Sequence, residues 1–344
     1  MRDEVILITG ANGEIGHSLI IKLGKEVDIR IVALDLKPLD ESLIPYCKKF
    51  IQGDILDQVL LGNLFAEYDI TTIFHLASIL STKSEYNPLA AHKINVEGTI
   101  NLLRFGMELS QNQGYSLKFI YPSSIAVYGL PNLKIKNKEG KIKENQWCNP
   151  ITIYGCNKLY CEHLGEYYAN HYRQLARNRA KNNIDFRCIR FPGLISANTI
   201  PSGGTSDYGP EMLHNIAKGK PYTCFVRPST RLPFMTMPDA IKALLLLEGA
   251  QKSSLTQLVY NVTSFSPTAQ DLFNIIRKAY PNAKIDFEVD PSRQAIVDSW
   301  PADIDDSAAQ NDWAWKPDYP IKRAFNDYLI PAIKTRYSNI KSQW

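Results

Sequence analysis

The stretch Val5-Ile6-Leu7-Ile8-Thr9-Gly10-Ala11-Asn12-Gly13-Glu14-Ile15-Gly16 decides the fold. Its four consecutive apolar residues read as a strand buried on both faces, the kind found in parallel sheets. Gly10, Gly13 and Gly16 follow, and Ile15, Leu19, Ile20 and Leu23 then lay an apolar stripe at helical spacing. Strand, glycine turn and helix in that order let backbone N–H groups and the positive end of a helix dipole meet a pyrophosphate. A tight turn between packed elements uses the same residues. The first glycine interval is also one residue longer than in G-x-G-x-x-G, so the motif alone leaves the branch of dinucleotide binders open.

Moving outward, a second strand over 29–34 ends in Asp35, about 20 residues beyond the glycines. A carboxylate there accepts hydrogen bonds from the adenosine ribose and repels a 2′-phosphate, which favours NAD over NADP; Lys37 argues weakly the other way. A third strand over 50–55 carries Asp54, which suits either an adenine amino group or a helix N-cap. The apolar run 72–77 is a fourth strand, and its His75 reads as a satisfied core histidine. A helix begins at Pro88 and extends to about residue 111, carrying Asn95. A fifth strand over 117–121 places Pro122-Ser123-Ser124 at its carboxyl end, where open parallel sheets bind ligands. The lysine-rich residues 130–150 read as a solvated loop, residues 173–183 as a polar helix extension, and 186–191 as a sixth strand. Alternating strands and helices predict an α/β fold with a doubly wound parallel sheet.

Between the fifth and sixth strands stands Tyr154-Gly155-Cys156-Asn157-Lys158. On a helix, i and i+4 share a face, so Tyr154 and Lys158 present a phenol and an ammonium together. A free phenol titrates near ~10. A neighbouring cation favours its ionised form, which makes the pair suited to proton transfer. The same spacing occurs on many solvated helix faces, so the pair gains its meaning from what precedes it.

The composition excludes several classes. The chain has 344 residues, 44% hydrophobic, with 39 basic and 35 acidic side chains and a net charge of +4, which suggests no nucleic-acid partner. No apolar run approaches the ~20 residues of a membrane span and no signal-peptide pattern opens the chain, so a cytoplasmic protein is expected. The six cysteines have neither metal-ligand spacing nor a disulfide framework, and no metal site is expected.

With Gly10, Gly13, Gly16, Asp35, Ser124, Tyr154 and Lys158 in order, the chain resembles the extended short-chain dehydrogenase/reductase family over essentially its whole length. The resemblance implies NAD on a Rossmann domain of residues 1–192 and 232–263, with a smaller C-terminal α/β substrate domain of 193–231 and 264–344. Ser124, Tyr154 and Lys158 fall on the family's catalytic positions. Tyr154 and Lys158 also meet the cofactor, whose other positions fall on the three glycines, Glu14, Ile15, Asp35, Asp54, Ile55, Leu76, Ala77, Asn95 and Leu194.

Longer strings are similar to the branch of the family that oxidises L-threonine at C3. These are Ser78-Ile79-Leu80-Ser81, Pro201-Ser202-Gly203-Gly204-Thr205-Ser206-Asp207-Tyr208, Met237-Pro238-Asp239-Ala240 and Asp298-Ser299-Trp300-Pro301. The activity implied is NAD-dependent oxidation of L-threonine to 2-amino-3-oxobutanoate by a homodimer paired through helices near 88–111 and 153–181. Ser81, Thr205 and Ser206 join Ser124 and Tyr154 at the substrate, although Thr205 or Ser206 could equally cap the next helix. Departures from that branch lie in the lysine loop, the extension 173–183, Thr82-Lys83-Ser84, and Ser206 where threonine is usual. Two alternatives are a nucleotide-sugar epimerase or dehydratase and a catalytically silent NAD-binding protein. Against the first, Gly193 stands where those enzymes commonly place a phosphate-holding asparagine.

Overall fold

The apolar runs become the strands of one sheet in the computed structural model, which describes residues 2–177, 183–201 and 203–341. The strands are β1 (Glu4–Thr9), β2 (Ile31–Asp35), β3 (Lys49–Gln52), β4 (Asp69–His75), β5 (Lys118–Ser124), β6 (Asp185–Phe191) and β7 (Val259–Asn261), in the order β7-β6-β5-β4-β1-β2-β3. β1 pairs in parallel with β2 and β4, β2 with β3, and β4 with β5. The chain builds outward from β1 to β3, then jumps back to β4 and builds the other way. That puts the switch point, where such sheets bind ligands, at the carboxyl ends of β1 and β4.

Helices α1 (Glu14–Leu23), α2 (Gln58–Glu67), α3 (Gly98–Gln113), α4 (Ile153–Glu166) and α5 (Met237–Gly249) connect the strands. Val5, Leu7, Ile70, Ile73, Phe119 and Phe186 of the sheet pack in one cluster with Leu61, Leu64, Leu103, Met107 and Cys161. Each such side chain contributes about 1.5–3 kcal/mol on burial, so the core fixes where the strand ends lie. α3 follows a π-helical turn, Lys93–Glu97, that contains Asn95, and it stops at Gly114 in the left-handed conformation (φ 82°).

The chain forms two compact units, one of Met1–Ser124, Ile153–Arg190 and Ile241–Tyr260, the other of Ile125–Thr152, Phe191–Ala240 and Asn261–Trp344. The expected return of the chain to the first unit is narrower than 232–263, and residues 125–152 fall in the second unit. That segment is not the solvated loop its lysines suggest. It holds a helix, Leu133–Glu139, and a strand, Lys141–Ile142, that pairs in parallel with Asp303–Ile304. Lys136 is 3% exposed and donates to the Val297 carbonyl at 2.9 Å, so one lysine of the run anchors a neighbouring helix end. A buried aliphatic stem with a satisfied ammonium is invisible to composition. Of the polar extension, residues 178–182 lie outside the described residues.

The second unit is built from short pieces. Gly193–Ile195 pairs in parallel with Phe234–Thr236, and Tyr222–Cys224 with Ile285–Phe287. Side chains cap some of its helices: Thr268 and Asp271 form a capping box at the start of Ala269–Ala279, and Asp290 caps Pro291–Ser299. None of the six cysteines is joined in a disulfide, and no described helix is long and apolar enough to cross a membrane.

Candidate active site

The glycine turn is a cradle that side chains would fill. Gly10 has φ 69°, and a Cβ there would lie 2.6 Å from the Ala77 nitrogen; at Gly16 it would lie 2.5 Å from the Gly10 carbonyl oxygen. α1 starts at Gly13 without a capping side chain, so backbone alone forms the helix N-terminus. This arrangement fits a dinucleotide pyrophosphate. Asp35, at the end of β2, accepts from Asn12 N at 2.9 Å and from Lys37 N at 3.0 Å, which sets its carboxylate beside the turn. Asp54 accepts from Leu56 N at 2.9 Å, and the N-cap of α2 is Asp57 instead. Ile55 is buried, touches Gly98, and is fixed by Asn101 donating to its carbonyl at 3.1 Å.

A network of neutral groups ties the turn to the loop after β4. Thr9 Oγ1 lies 2.7 Å from His75 Nδ1, and His75 Nε2 lies 2.9 Å from Thr99 Oγ1, whose hydroxyl donates to the Asn95 carbonyl at 2.7 Å. That bond makes Thr99 an acceptor from Nε2–H, which fixes the tautomer. Burial, with Lys158 nearby, lowers the His75 pKa to about 3, so the ring is neutral. Asn95 is 2% exposed and clamps the loop: Oδ1 accepts from Ile79 N at 2.7 Å and from the Ser78 hydroxyl at 3.1 Å, while Nδ2 donates to Ile79 O at 3.0 Å. Its amide therefore shapes the backbone that carries Leu76, Ala77 and the buried Ser81.

Tyr154 and Lys158 occupy the first two turns of α4, whose leading N–H, that of Ile153, is capped by Glu85 at 2.8 Å. Lys158 Nζ donates to the Pro122 carbonyl at 2.7 Å, which joins α4 to the end of β5 two residues before Ser124. Nζ is 5.6 Å from the centre of the Tyr154 ring. The expected coupling of ammonium to phenol is not what sets Tyr154 in this state. Burial pushes its phenol above the ordinary range, and a hydrogen bond with Ser78 pulls it back. Burial likewise lowers the Lys158 ammonium to about 8.

Leu194, Thr205 and Ser206 belong to the second unit. Leu194 sits in the strand Gly193–Ile195, paired with Met235. Thr205 is 3% exposed and Ser206 half-buried, on a turn that starts at Gly203 (φ 88°). Asp207 Oδ2 gathers that turn, accepting from Gly203 N at 2.9 Å and Gly204 N at 2.6 Å. The helix Tyr208–Ala217 is entered through Asp207, so neither Thr205 nor Ser206 holds the capping position.

A model of the NAD dependent epimerase/dehydratase family matches residues 6–263. The chain belongs to the NAD dependent epimerase/dehydratase family. It is 34% identical to the mitochondrial L-threonine 3-dehydrogenase of Bos taurus over 317 residues, 92% of this chain and 79% of the relative. A monomeric L-threonine 3-dehydrogenase from a metagenome, solved in its apo form, superposes with a TM-score of 0.84 at 35% identity, covering 97% of this chain and 100% of that one. A UDP-glucose 4-epimerase of Thermotoga maritima, solved with UDP-glucose, has a TM-score of 0.77 at 20% identity, covering 98% and 99%, and is alike in fold alone.

Within this epimerase/dehydratase family chain, the first unit holds Gly10, Gly13, Glu14, Ile15, Gly16, Asp35, Asp54, Ile55, Leu76, Ala77, Ser81, Asn95, Ser124, Tyr154 and Lys158. Two residues escaped sequence reasoning. Ser78 was quoted only as part of a string, yet it reaches both Tyr154 and Asn95; a hydroxyl just past the small Ala77, in the loop after β4, was the available signal. Asp207 was passed over, although a carboxylate three residues after a Gly-Gly pair is well placed to collect the pair's N–H groups.

Proposed function

We propose that the protein oxidises L-threonine at its C3 hydroxyl with NAD as acceptor, giving 2-amino-3-oxobutanoate. One observation carries this over the nucleotide-sugar reading. A Cβ at Gly193 would lie 2.5 Å from the Phe234 ring, so an asparagine cannot stand there for a substrate phosphate unless that ring moves. The likeness to two L-threonine 3-dehydrogenases over most of the chain supports the same reading. Gly203-Gly204-Thr205-Ser206 supplies short neutral groups suited to a small zwitterion, and the carboxylate of Asp35 beside the turn supports NAD over NADP.

In this assignment Tyr154, as the phenolate, takes the proton of the C3 hydroxyl, and Ser124 hydrogen-bonds the same oxygen. Lys158 holds the nicotinamide ribose and contributes positive charge. Ser78, whose hydroxyl meets the phenol, favours the phenolate when that hydroxyl turns its proton from Asn95 to Tyr154. NAD, which the glycine turn, Asp35 and Lys158 would hold, would supply the acceptor for the hydride from C3. Burial keeps Tyr154 protonated otherwise, so the base forms once the site is filled. Exposed Leu89, Tyr160 and Tyr167, on the helices expected to pair, would supply apolar surface for the proposed homodimer.

The test is NADH formation from L-threonine, run beside interconversion of UDP-glucose and UDP-galactose. L-Threonine should be oxidised well. 3-Hydroxybutyrate, which lacks the amino group, should be nearly inert because buried partners would be left unpaired. L-Serine lacks one methyl, worth roughly 1–3 kcal/mol, and should be poor but measurable. Activity in the sugar interconversion alone would replace this reading with the epimerase.

A further inference from the structure

The polar face of α4 continues past Lys158 to Glu162, one turn further on. Glu162 is 3% exposed: Oε1 accepts from the Ser123 hydroxyl at 2.5 Å and from Arg190 Nε at 2.9 Å, and Oε2 from Arg190 Nη2 at 2.6 Å. Arg190 is 4% exposed. Desolvating two charges cancels most of what their attraction returns, so stability alone is a weak reason for a buried pair here.

Its neighbours suggest a stronger one. α4 grips consecutive residues at the end of β5, Lys158 holding the carbonyl of Pro122 and Glu162 the hydroxyl of Ser123; the next residue is Ser124. The groups facing Lys158 are Tyr121 and Tyr154, whose ring centres are 4.6 and 5.6 Å from Nζ, Cys161 and Glu162 on its own helix, Cys188 on β6, and His75 on β4. Burial holds both phenols and both thiols protonated and His75 neutral. Among these groups the carboxylate is Glu162, ion-paired with Arg190 at 2.6 Å.

We propose that Glu162, braced by Arg190, is a positioning residue for the reaction: through Ser123 it fixes the strand end that carries Ser124, and its charge keeps Lys158 an ammonium. This rests on the assignment of Ser124, Tyr154 and Lys158 made above.

The experiment is kcat against pH for the full chain with L-threonine and saturating NAD. In Glu162→Gln the alkaline limb, set by loss of the Lys158 proton, should move about one pH unit or more to the acid side, because the attracting charge is gone and Arg190 is left uncompensated. The Michaelis constant for threonine should change less than kcat. Ser123→Ala keeps every charge, so its limb should stay in place while kcat falls about tenfold. Glu162→Asp should restore the limb but not the full rate. If Glu162→Gln does not fold, Glu162→Gln/Arg190→Met removes the stranded cation and is scored in the same way. An unmoved limb in a folded Glu162→Gln or double variant overturns the charge role, and a wild-type kcat in Ser123→Ala overturns the clamp. Tyr154→Phe measured alongside separates the two levels: an active Tyr154→Phe removes the underlying assignment, whereas an inactive one beside an unmoved Glu162 limb removes only the positioning role. If the protein turns over only UDP-glucose, the substrate reading fails and the same series is scored on that reaction.

Discussion

The two units hold their candidate residues by different means. In the first, the residues stand on or beside regular elements, and backbone atoms do most of the holding: Gly10 against Ala77, Asn95 on both polar atoms of Ile79, Lys158 on the Pro122 carbonyl. In the second, Thr205 and Ser206 ride an irregular turn gathered by a single carboxylate, Asp207. A change in the first unit should therefore be felt in chemistry or cofactor binding as a whole, and a change in the second should weaken one substrate contact.

Tyr154→Phe gives the largest effect on the first side of this contrast. It removes the hydroxyl and its bond to Ser78 but leaves the ring, so NAD affinity should persist while kcat falls about 10²–10⁴-fold. Steady-state rates with a direct NAD-binding titration check both halves, and half of wild-type activity would rule Tyr154 out as the base. Lys158→Met should damage both quantities, since one ammonium serves both.

Cofactor choice comes next. Two unit charges 4 Å apart repel by about 4 kcal/mol at an effective dielectric near 20, so Asp35 beside a 2′-phosphate should give NAD at least about a 10²-fold advantage over NADP. Asp35→Ser with an added neighbouring arginine should erase or reverse it. Equal kcat/KM for both cofactors in the unaltered protein would remove Asp35 from the site.

The same contrast explains what the sequence could reveal. β1, β2, β4, β5 and β6 announce themselves as apolar runs because these strands are largely buried, whereas the edge strand β3 is half-exposed; Ser124 and Asp35 were found because each sits at the end of such a run, and Tyr154 and Lys158 because they stand four apart on one helix. Strands of two or three residues in the second unit carry no period to detect, and their pairings, such as Ile142 with Ile304, join residues far apart in the chain. The membership of 125–152 was hidden for that reason, and Lys136 because charge alone predicts exposure. Spacing placed Tyr154 and Lys158 on one face of α4, but not the Pro122 carbonyl that takes the ammonium or the Ser78 hydroxyl that meets the phenol.

A matched pair of glycines sharpens the comparison at smaller amplitude. Gly10 and Gly203 both have positive φ, where an alanine costs about 1–2 kcal/mol. At Gly10 the new methyl also meets backbone at 2.6 Å, whereas at Gly203 nothing lies within 4 Å. Gly10→Ala should weaken NAD binding more than about tenfold, and Gly203→Ala should raise the Michaelis constant for threonine only a few-fold and leave NAD untouched. A Gly203→Ala protein with impaired NAD binding would break the division drawn above.

The smallest effect tests the second unit alone. A hydroxyl that hydrogen-bonds a substrate typically contributes about 1 kcal/mol net, so Thr205→Ala should raise the Michaelis constant for L-threonine roughly five-fold. Thr205 is buried while Ser206 keeps some exposure, and water can replace a lost partner more readily at the second, so Ser206→Ala should cost less. Neither variant touches the glycine turn, Tyr154 or Lys158, so the Michaelis constant for NAD and the pH profile of kcat should stay at wild-type values. Kinetics with each substrate varied in turn decide it. An increase confined to NAD would move these hydroxyls to the cofactor, and no change in either constant would leave Thr205 and Ser206 as parts of the turn that Asp207 gathers.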